Sequence, residues 1–211
     1  MPLASSGGVT LGEILNIMEG YDTLPAFGTP AYVHLLTEAM RRAFMDRNRW
    51  LGDPDFVSMP LERLLSKSYA AELRAQIDPR RATPTPPQAA GGGEALHTTH
   101  YSIVDANGNA ASVTTTLNGG FGSAVTVTAG GFLLNNEMDD FTSAPGKPNM
   151  YGLVQGEANA IAPGKRMLSA MTPSIVLGQG GQLLMVVGTP GGPTIITTVA
   201  QVILDVLDHG M

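Results

Sequence analysis

Apolar residues in the first part of the chain recur every three or four positions, which is the spacing of one face of an α-helix. The longest such stretch predicts a helix over residues 31–48. Thr29 and Pro30 precede it as a cap and as a proline at the first helical position. The predicted core face consists of Val33, Leu36, Met40, Ala43 and Phe44. The predicted polar face consists of Arg41, Arg42 and Asp46.

Three further stretches have helical character. Thr10 and Glu13 form a capping-box pattern at the start of a short helix predicted over residues 11–20. Helical spacing returns over residues 60–77, and a final helix is predicted over residues 193–209. The predicted core face of the final helix consists of Ile195, Val199, Val202, Ile203 and Val206.

After residue 97 the pattern changes to short runs rich in Thr, Val, Ile and Tyr, which are typical of β-strands. Two predicted strands, over residues 99–104 and 109–117, flank Asp105-Ala106-Asn107-Gly108, a strong hairpin-turn signal. Four more short strands are predicted over residues 124–128, 131–135, 173–178 and 182–187. Helices followed by antiparallel strands and a last helix predict an α+β fold.

A change of composition near residue 97 divides the chain. Residues 79–97 contain four prolines and three consecutive glycines with few apolar side chains, which predicts a linker. Residues 1–97 carry nine Lys and Arg and eleven Asp and Glu, whereas residues 98–211 carry three and seven. We therefore expect a helical unit over residues 1–97 that ends in the linker, and a β-rich unit over residues 98–211.

Composition and charge exclude several classes of function. The 211 residues, 43% of them hydrophobic, are enough to bury a core. A net charge of −6 and a pI near 5.1 argue against binding to nucleic acid or to an anionic membrane. There is no cysteine and the four histidines lack ligand spacing, so we expect no metal and no cofactor. No apolar run reaches the roughly 18 to 20 residues that span a bilayer.

The junction between the linker and the first strand holds the main candidate for chemistry. If the chain is cleaved between His97 and Thr98, then Thr98 carries both a hydroxyl nucleophile and an α-amine that can act as its base. A turn centred on Asn107 pairs residues whose numbers sum to about 214, which places Thr116 opposite Thr98. An ordinary threonine-rich sheet edge is the alternative explanation of this pattern.

Acidic and amide side chains follow an apolar strand end in the segment 133–141. Close carboxylates stabilise a bound cation, so the acids of this segment, including Glu137 and Asp140, could bind an ammonium group. A solvated turn is the alternative. Asn118, just beyond Thr116, is either a turn former or an amide ligand.

Gly191 and Gly192 join an apolar strand to the final helix. Backbone N–H groups at such a turn can donate to a developing oxyanion, because no side chain blocks the approach and the start of a helix is electropositive. An ordinary tight turn is again the alternative. The chain has no phosphate-binding loop, and no G-x-S-x-G nucleophile elbow surrounds Ser169.

Taken together, these segments resemble the gamma-glutamyltranspeptidase (gamma-glutamyltransferase) family of self-processing N-terminal-nucleophile hydrolases. The motifs occur in the family's order along essentially the entire chain. They are Ser5-Ser6-Gly7-Gly8, Asp46-Arg47, Leu51–Phe56, Thr98–Ser102, Leu133–Phe141, Leu168–Met171 and Pro190–Gly192.

The resemblance implies an αββα sandwich, incomplete in this chain, formed by a precursor that cleaves itself between His97 and Thr98. The resulting large and small subunits stay associated. The resemblance further implies that Thr98 attacks the γ-carbonyl of glutathione or another γ-glutamyl compound. Water, or an acceptor amino acid or peptide, then releases the γ-glutamyl group from the Thr98 ester.

The resemblance also assigns roles to other residues. Thr116 orients the Thr98 amine, and the segment 145–157 is similar to a lid loop in which Tyr151 closes over the site and contacts Asn118. The oxyanion hole is assigned to Gly191 and Gly192. The ligands of the glutamyl head group are assigned as Asn118, Glu137, Asp140 and Ser169.

Two departures from the family pattern leave alternatives open. Ala170 follows Ser169 where the family usually has two adjacent serines, so one hydroxyl contact to the substrate carboxylate is missing. A related cephalosporin or glutaryl acylase is therefore a second hypothesis. The family precursor is more than twice as long as this chain, so a catalytically silent fragment that acts as an interaction module is a third. The resemblance suggests a periplasmic or extracellular location.

Overall fold

The computed structural model describes residues 1–84, 97–144, 146–149 and 152–211. Most of the predicted linker and Tyr151 therefore lie outside the described residues. The helices are α1 (Gly7–Glu19), α2 (Pro30–Trp50), α3 (Leu61–Leu64), α4 (Lys67–Ala75) and α5 (Thr194–His209). The strands are β1 (Thr99–Val104), β2 (Ala110–Thr115), β3 (Thr126–Val127), β4 (Phe132–Leu133), β5 (Ser174–Leu177) and β6 (Leu183–Val187). Two 3-10 helices cover Glu137–Asp140 and Glu157–Asn159.

The main core lies where α1, α2, α4 and α5 bring their apolar faces together. Ile14, Ile17, Ala39 and Ile196 have no exposed surface there. Each large aliphatic side chain buried in this way contributes about 1.5 to 3 kcal/mol. None of the helices in the described parts of the chain combines the length and the apolar character needed to cross a membrane.

The start of α2 is as predicted, whereas the start of α1 is not. The Tyr32 N–H donates to Thr29 Oγ1 at 3.3 Å, and Pro30 takes the first helical position. The capping box assigned to Thr10 and Glu13 is wrong, because α1 already begins at Gly7 and both side chains are buried within it. Contacts between the first residues of α1 and residues 169–172 stabilise this earlier start. A local sequence pattern cannot predict contacts between residues so far apart.

The predicted helix faces are only partly correct. Val33 is 52% exposed, whereas Arg42 is buried beside Glu38, one turn away. On α5, Val202 and Val206 are partly exposed. The additional buried residues of α5 are Ile196, Ala200 and Leu204. Because α5 is apolar around much of its circumference, periodicity alone does not decide which side faces α1.

The strands pair as three two-stranded antiparallel sheets, β1–β2, β3–β4 and β5–β6. Thr99 lies opposite Thr115, so the pairing predicted from the hairpin turn is confirmed. Asp105 Oδ1 stabilises the turn by accepting the Asn107 and Asn109 N–H groups at 2.8 and 2.9 Å.

Two serine hydroxyls hydrogen-bond the β1–β2 hairpin to β6. Ser102 Oγ donates to the Val186 carbonyl at 3.2 Å, and Ser112 Oγ donates to the Val187 carbonyl at 3.1 Å. The hairpin that carries Thr98 is thus held against the strand that leads to the Gly-Gly turn. Apolar side chains of β1, β5 and β6 that remain about half exposed are Tyr101, Ile103, Val104, Ile175, Leu177 and Leu184.

Several polar contacts join residues that precede position 97 to residues that follow it, among them those of Ser6 with Ser169 and of Asp53 with Arg166. The Ser6 N–H and hydroxyl both donate to the Ser169 carbonyl, at 2.8 and 2.7 Å. The Arg166 side chain donates through Nε and Nη2 to the fully buried Asp53 carboxylate, at 3.0 and 2.5 Å. These contacts bring the helical part and the strand-rich part together around one pocket.

Candidate active site

Thr98 and Thr116 face each other beyond the last pair of the hairpin. Thr98 Oγ1 donates to Thr116 Oγ1 at 3.2 Å. Thr116 Oγ1 also accepts the Asn118 N–H at 2.9 Å. The contact between the two hydroxyls is the one that the hairpin register predicts. His97 lies beside Gly120, where a side chain would come within 2.8 Å of the imidazole.

Asn118 links the hairpin to the acidic segment. Its φ of 70° lies in the left-handed region, which Asn tolerates better than most residues, and its side chain is buried. Asn118 Nδ2 donates to the Asn136 carbonyl at 3.2 Å, and the Gly119 N–H donates to Asn136 Oδ1 at 2.7 Å. These bonds fix the start of the 3-10 helix relative to Thr116.

Glu137 and Asp140 form a hydrogen-bonded pair on the 3-10 helix. Burial, together with the negative charge of Asp140 and the hydrogen bond, raises the pKa of Glu137 to about 8. Burial also raises the pKa of Asp140 to about 6, although the Glu137 hydrogen bond and the Arg47 charge oppose this rise. Both side chains are only partly exposed, and the two raised pKa values favour a proton shared by the pair near neutral pH.

Ser169 lies in a short segment held against the first residues of the chain. Its N–H donates to the Ala4 carbonyl at 3.1 Å, and its carbonyl accepts both donors of Ser6. Its hydroxyl oxygen accepts the Met171 N–H at 3.1 Å. The Ser169 hydroxyl is thus held close to the backbone while the residue lines the pocket described below.

Gly191 and Gly192 precede α5 with φ angles of 132° and 55°, both in the region that favours glycine. The Gly191 carbonyl accepts the Thr194 N–H at 3.1 Å and the Thr194 hydroxyl at 2.8 Å. The turn therefore runs directly into the first turn of the helix. A side chain at either glycine would impose backbone strain here.

Most of the predicted site residues line a single pocket. Gly191 adjoins the pocket without belonging to its described lining, and Tyr151 lies outside the described residues. The predicted residues that the pocket brings together are Thr98, Thr116, Asn118, Glu137, Asp140, Ser169 and Gly192. Residues separated by almost a hundred positions thus face one space.

The sequence analysis included Arg47 in the Asp46-Arg47 motif and Gln155 in the segment 145–157, but it gave neither of these two polar pocket residues a role of its own. Arg47 is 1% exposed and lies four residues after the buried Ala43 of α2. A charged residue that continues the apolar stripe of a helix is a signal that could have identified it. Gln155 bridges the two sides of the pocket, because its Oε1 accepts from Arg47 at 3.4 Å and its Nε2 donates to the Asp140 carbonyl at 3.2 Å. No local pattern marks Gln155.

The arrangement is suited to acyl transfer. A hydroxyl pair, an acid pair and a glycine at a helix start line one pocket. Groups of these kinds can serve as nucleophile, cation site and oxyanion donor in acyl transfer. Within the described residues, no group of three His, Asp or Glu side chains is placed to hold a metal ion.

Comparison with known proteins relates the chain to enzymes made as proenzymes. The family model described as Gamma-glutamyltranspeptidase matches residues 1–211. The chain is 54% identical over 218 residues to the glutathione hydrolase proenzyme of Pseudomonas sp. (strain A14), covering 100% of this chain and 37% of that protein. It is 40% identical over 211 residues to the acylase ACY 1 proenzyme of Pseudomonas sp. (strain SE83), with coverages of 100% and 36%. The chain thus spans little more than a third of the length of these relatives.

A solved structure agrees with the fold. The cephalosporin acylase from Bacillus halodurans is similar over 100% of this chain and 35% of its own, with a TM-score of 0.81 and 27% identity. This similarity, together with the order of helices and antiparallel strands, confirms the predicted α+β fold as an incomplete N-terminal-nucleophile-hydrolase sandwich.

Proposed function

This chain belongs to the gamma-glutamyltranspeptidase family, and from that premise we propose that it is the central part of a self-cleaving enzyme that transfers or hydrolyses γ-glutamyl groups. The observation that carries the proposal is the 3.2 Å contact between the hydroxyls of Thr98 and Thr116, in a pocket that also contains the acid pair. Glutathione and related γ-glutamyl compounds are the proposed donors. Amino acids, peptides or water are the proposed acceptors.

Self-cleavage follows from the chemistry of Thr98. Its Oγ adds to the carbonyl carbon of His97, and the C–N bond breaks as the Thr98 nitrogen takes up the hydroxyl proton. The product is an ester between His97 and the Thr98 oxygen. Water hydrolyses this ester to a His97 carboxylate, a free Thr98 hydroxyl and a free α-amine.

Turnover uses the same oxygen with the new amine as its base. The amine accepts the hydroxyl proton as Thr98 Oγ attacks the γ-carbonyl carbon, and the proton passes to the leaving amine when the C–N bond breaks. The γ-glutamyl group is then held as an ester until water or an acceptor amine attacks. Thr116 supports this role, because its hydroxyl is fixed by the Asn118 N–H and can orient the base.

The remaining pocket residues supply recognition and charge stabilisation. Glu137, Asp140 and Asn118 receive the α-ammonium group of the glutamyl donor. The Ser169 hydroxyl binds the α-carboxylate. The backbone N–H groups of Gly191 and Gly192 stabilise the oxyanion, since a positive φ at both residues turns the peptide units without interference from a side chain.

N-terminal sequencing of the purified protein, expressed with all the flanking sequence that its gene encodes, tests the proposal. We expect a fragment that begins at Thr98 and turnover of a γ-glutamyl anilide. Thr98→Ala is expected to leave the His97–Thr98 bond intact and to abolish turnover, whereas Thr98→Ser retains part of both. A persistently uncleaved protein that forms no ester would instead support the silent-fragment alternative.

An acylase is the second candidate, and the residue that favours it is Ala170. Ala170 lines the pocket beside Ser169, and the acylase ACY 1 proenzyme aligns with the whole chain. A pocket with one hydroxyl fewer discriminates less strongly in favour of an α-amino acid head group. Comparison of glutathione with a glutaryl amide separates the candidates, since an acylase would prefer the glutaryl compound.

The subunit boundary is part of the same proposal. Residues 1–97 would end the large subunit, and residues 98–211 would begin the small one. The Asp53–Arg166 and Ser6–Ser169 contacts cross this boundary and favour continued association after cleavage. A periplasmic or extracellular location stays a prediction that fractionation of the producing cells can test.

A further inference from the structure

Arg47 is a buried cation that the proposed reaction does not use. Its Nε donates to Ser6 Oγ at 2.9 Å, and its Nη1 donates to Asn48 Oδ1 at 2.9 Å and to Gln155 Oε1 at 3.4 Å. All these partners are uncharged, and among the described residues no carboxylate forms an ion pair with Arg47 within 4 Å. Burial of a guanidinium without such a partner is costly. Its retention at the pocket therefore needs a compensating role.

Asp140 is the carboxylate on which Arg47 acts. Both residues line the pocket, and the Gln155 amide bridges the Arg47 side chain to the Asp140 carbonyl. The charged groups that face Asp140 are Glu137 and Asp139 from its own 3-10 helix and Arg47 from α2. Thr98 lines the same pocket, so cleavage adds its amine to the charged groups of the pocket, while Gln155 and Asn159 donate uncharged amides to the Asp140 carbonyl.

These charges decide where the shared proton resides. Burial and the negative charge of Asp140 favour a protonated Glu137, whose pKa is about 8. The Glu137 hydrogen bond and the positive charge of Arg47 both favour the ionised form of Asp140, whose pKa is about 6. The pair therefore favours a single negative charge near neutral pH, and the positive charge of Arg47 favours Asp140 as the carboxylate that carries it.

We propose that Arg47 is a positioning residue that keeps the negative charge of the acid pair on Asp140 and thereby makes the pocket select ligands that carry an ammonium group. This inference rests on the proposed function and adds the residue that controls its specificity. Arg47 acts through Asp140 and need not touch the ligand. Without its positive charge, Asp140 would retain a proton at higher pH and would offer the ammonium group a neutral carboxylic acid.

A pair of matched ligands tests this role directly. Glutamate and glutarate differ only in the ammonium group, so the ratio of their dissociation constants isolates the contribution of the acid pair. We would measure both by calorimetry between about pH 5 and pH 8 on the wild-type protein, Arg47→Gln and Arg47→Lys. The wild-type preference for glutamate is expected to fall as the pH drops through about 6. In Arg47→Gln this fall is expected about one pH unit higher, and Arg47→Lys is expected to retain most of the wild-type preference.

Several outcomes would overturn the inference. An unchanged preference for glutamate in Arg47→Gln would overturn it. Equal weakening of glutamate and glutarate binding at every pH in Arg47→Gln would also overturn it, because that result indicates a merely structural or carboxylate-binding arginine. Should Arg47→Gln not fold, loss of the glutamate preference in Arg47→Lys at neutral pH would also overturn it. Failure of the proposed function is distinguishable, because the wild-type protein would then not turn over a γ-glutamyl anilide.

Discussion

At the scale of single residues, the Thr116 hydroxyl joins two parts of the candidate site, because it accepts from Thr98 at 3.2 Å and from the Asn118 N–H at 2.9 Å. Thr116→Val keeps the shape of the side chain and removes both contacts. We expect self-cleavage and turnover to slow by roughly five- to tenfold, since a lost hydrogen bond of about 1 to 1.5 kcal/mol affects the orientation of the nucleophile.

Time courses of cleavage on denaturing gels and initial rates with a γ-glutamyl anilide measure this effect. Thr115→Val is the matched control, because Thr115 is the exposed preceding residue at the end of β2 and forms a regular cross-strand pair with Thr99. Equal rates in wild type and Thr116→Val would contradict the assigned role of the hydroxyl pair.

Ala170 is the residue at which the pocket departs from the usual family pattern. Ala170→Ser adds a hydroxyl beside Ser169, and a hydrogen bond to a charged carboxylate contributes about 1.5 to 3 kcal/mol. We expect the KM for a γ-glutamyl donor to fall roughly tenfold or more, with no comparable change for a 4-aminobutyryl donor, which keeps the amino group but lacks the α-carboxylate. Ala170→Cys, of similar size but a weaker donor, is the control. A lower KM for both donors would show that the effect is one of packing.

At the scale of an element, α2 holds a buried charged pair on the side that periodicity assigned in part to solvent. Glu38 accepts from Arg42 and also from the Thr83 N–H and hydroxyl, each at 2.7 Å. Burial opposes the ionisation of Glu38, but these hydrogen bonds prevail and lower its pKa to about 2. Ionised Glu38 therefore stabilises the fold above the pKa of an unfolded-chain glutamate, about 4.3, and this stabilisation is lost as the pH falls toward 2.

Glu38→Gln tests the pair. We expect the free energy of unfolding at neutral pH to fall by about 3 kcal/mol, because Arg42 is left buried without its counter-charge. We also expect a smaller loss of stability between about pH 4.3 and pH 2 than in the wild type. Denaturant titrations across this range measure both effects. Glu72→Gln is the control, since the exposed Arg63–Glu72 pair at 3.8 Å should contribute less than about 1 kcal/mol.

At the scale of the whole molecule, the Asp53–Arg166 pair joins the two sides of the proposed cleavage point. Asp53 is fully buried, and the hydrogen bonds from Arg166 hold the pKa of its carboxyl well below the usual range. Arg166 Nη2 also contacts the exposed Asp55 at 2.6 Å. The Asp53–Arg166 contact should contribute more to stability than the Asp55–Arg166 contact, because Asp53 is buried whereas water screens the exposed Asp55.

Asp53→Asn is expected to weaken the association of the two cleaved pieces by about 2 kcal/mol, so that they separate at lower denaturant concentration. Size-exclusion chromatography of the cleaved protein over a urea series measures this separation. Asp55→Asn is the matched control and should leave the separation almost unchanged. If the pieces of both variants separate at the same urea concentration as those of the wild type, the Asp53–Arg166 pair does not hold the two pieces together.

The sequence by itself determined the features that depend on neighbouring residues. Thr29 and Pro30 specify the start of α2, and the Asp105 turn specifies the register that brings Thr98 to Thr116. The motifs and the order of helices and strands determined the family and the fold class. Capping, turn geometry and side-chain alternation are short-range effects, so a local pattern records them.

Only the tertiary structure decided what lies around the nucleophile. It begins α1 at Gly7 instead of near Thr10, and it directs the Arg47 side chain into the pocket. It also brings Glu137 and Asp140 together as a partly buried pair whose pKa values are both raised by desolvation. These outcomes depend on desolvation and on charges brought together from distant positions, and neither quantity exists until the chain has packed.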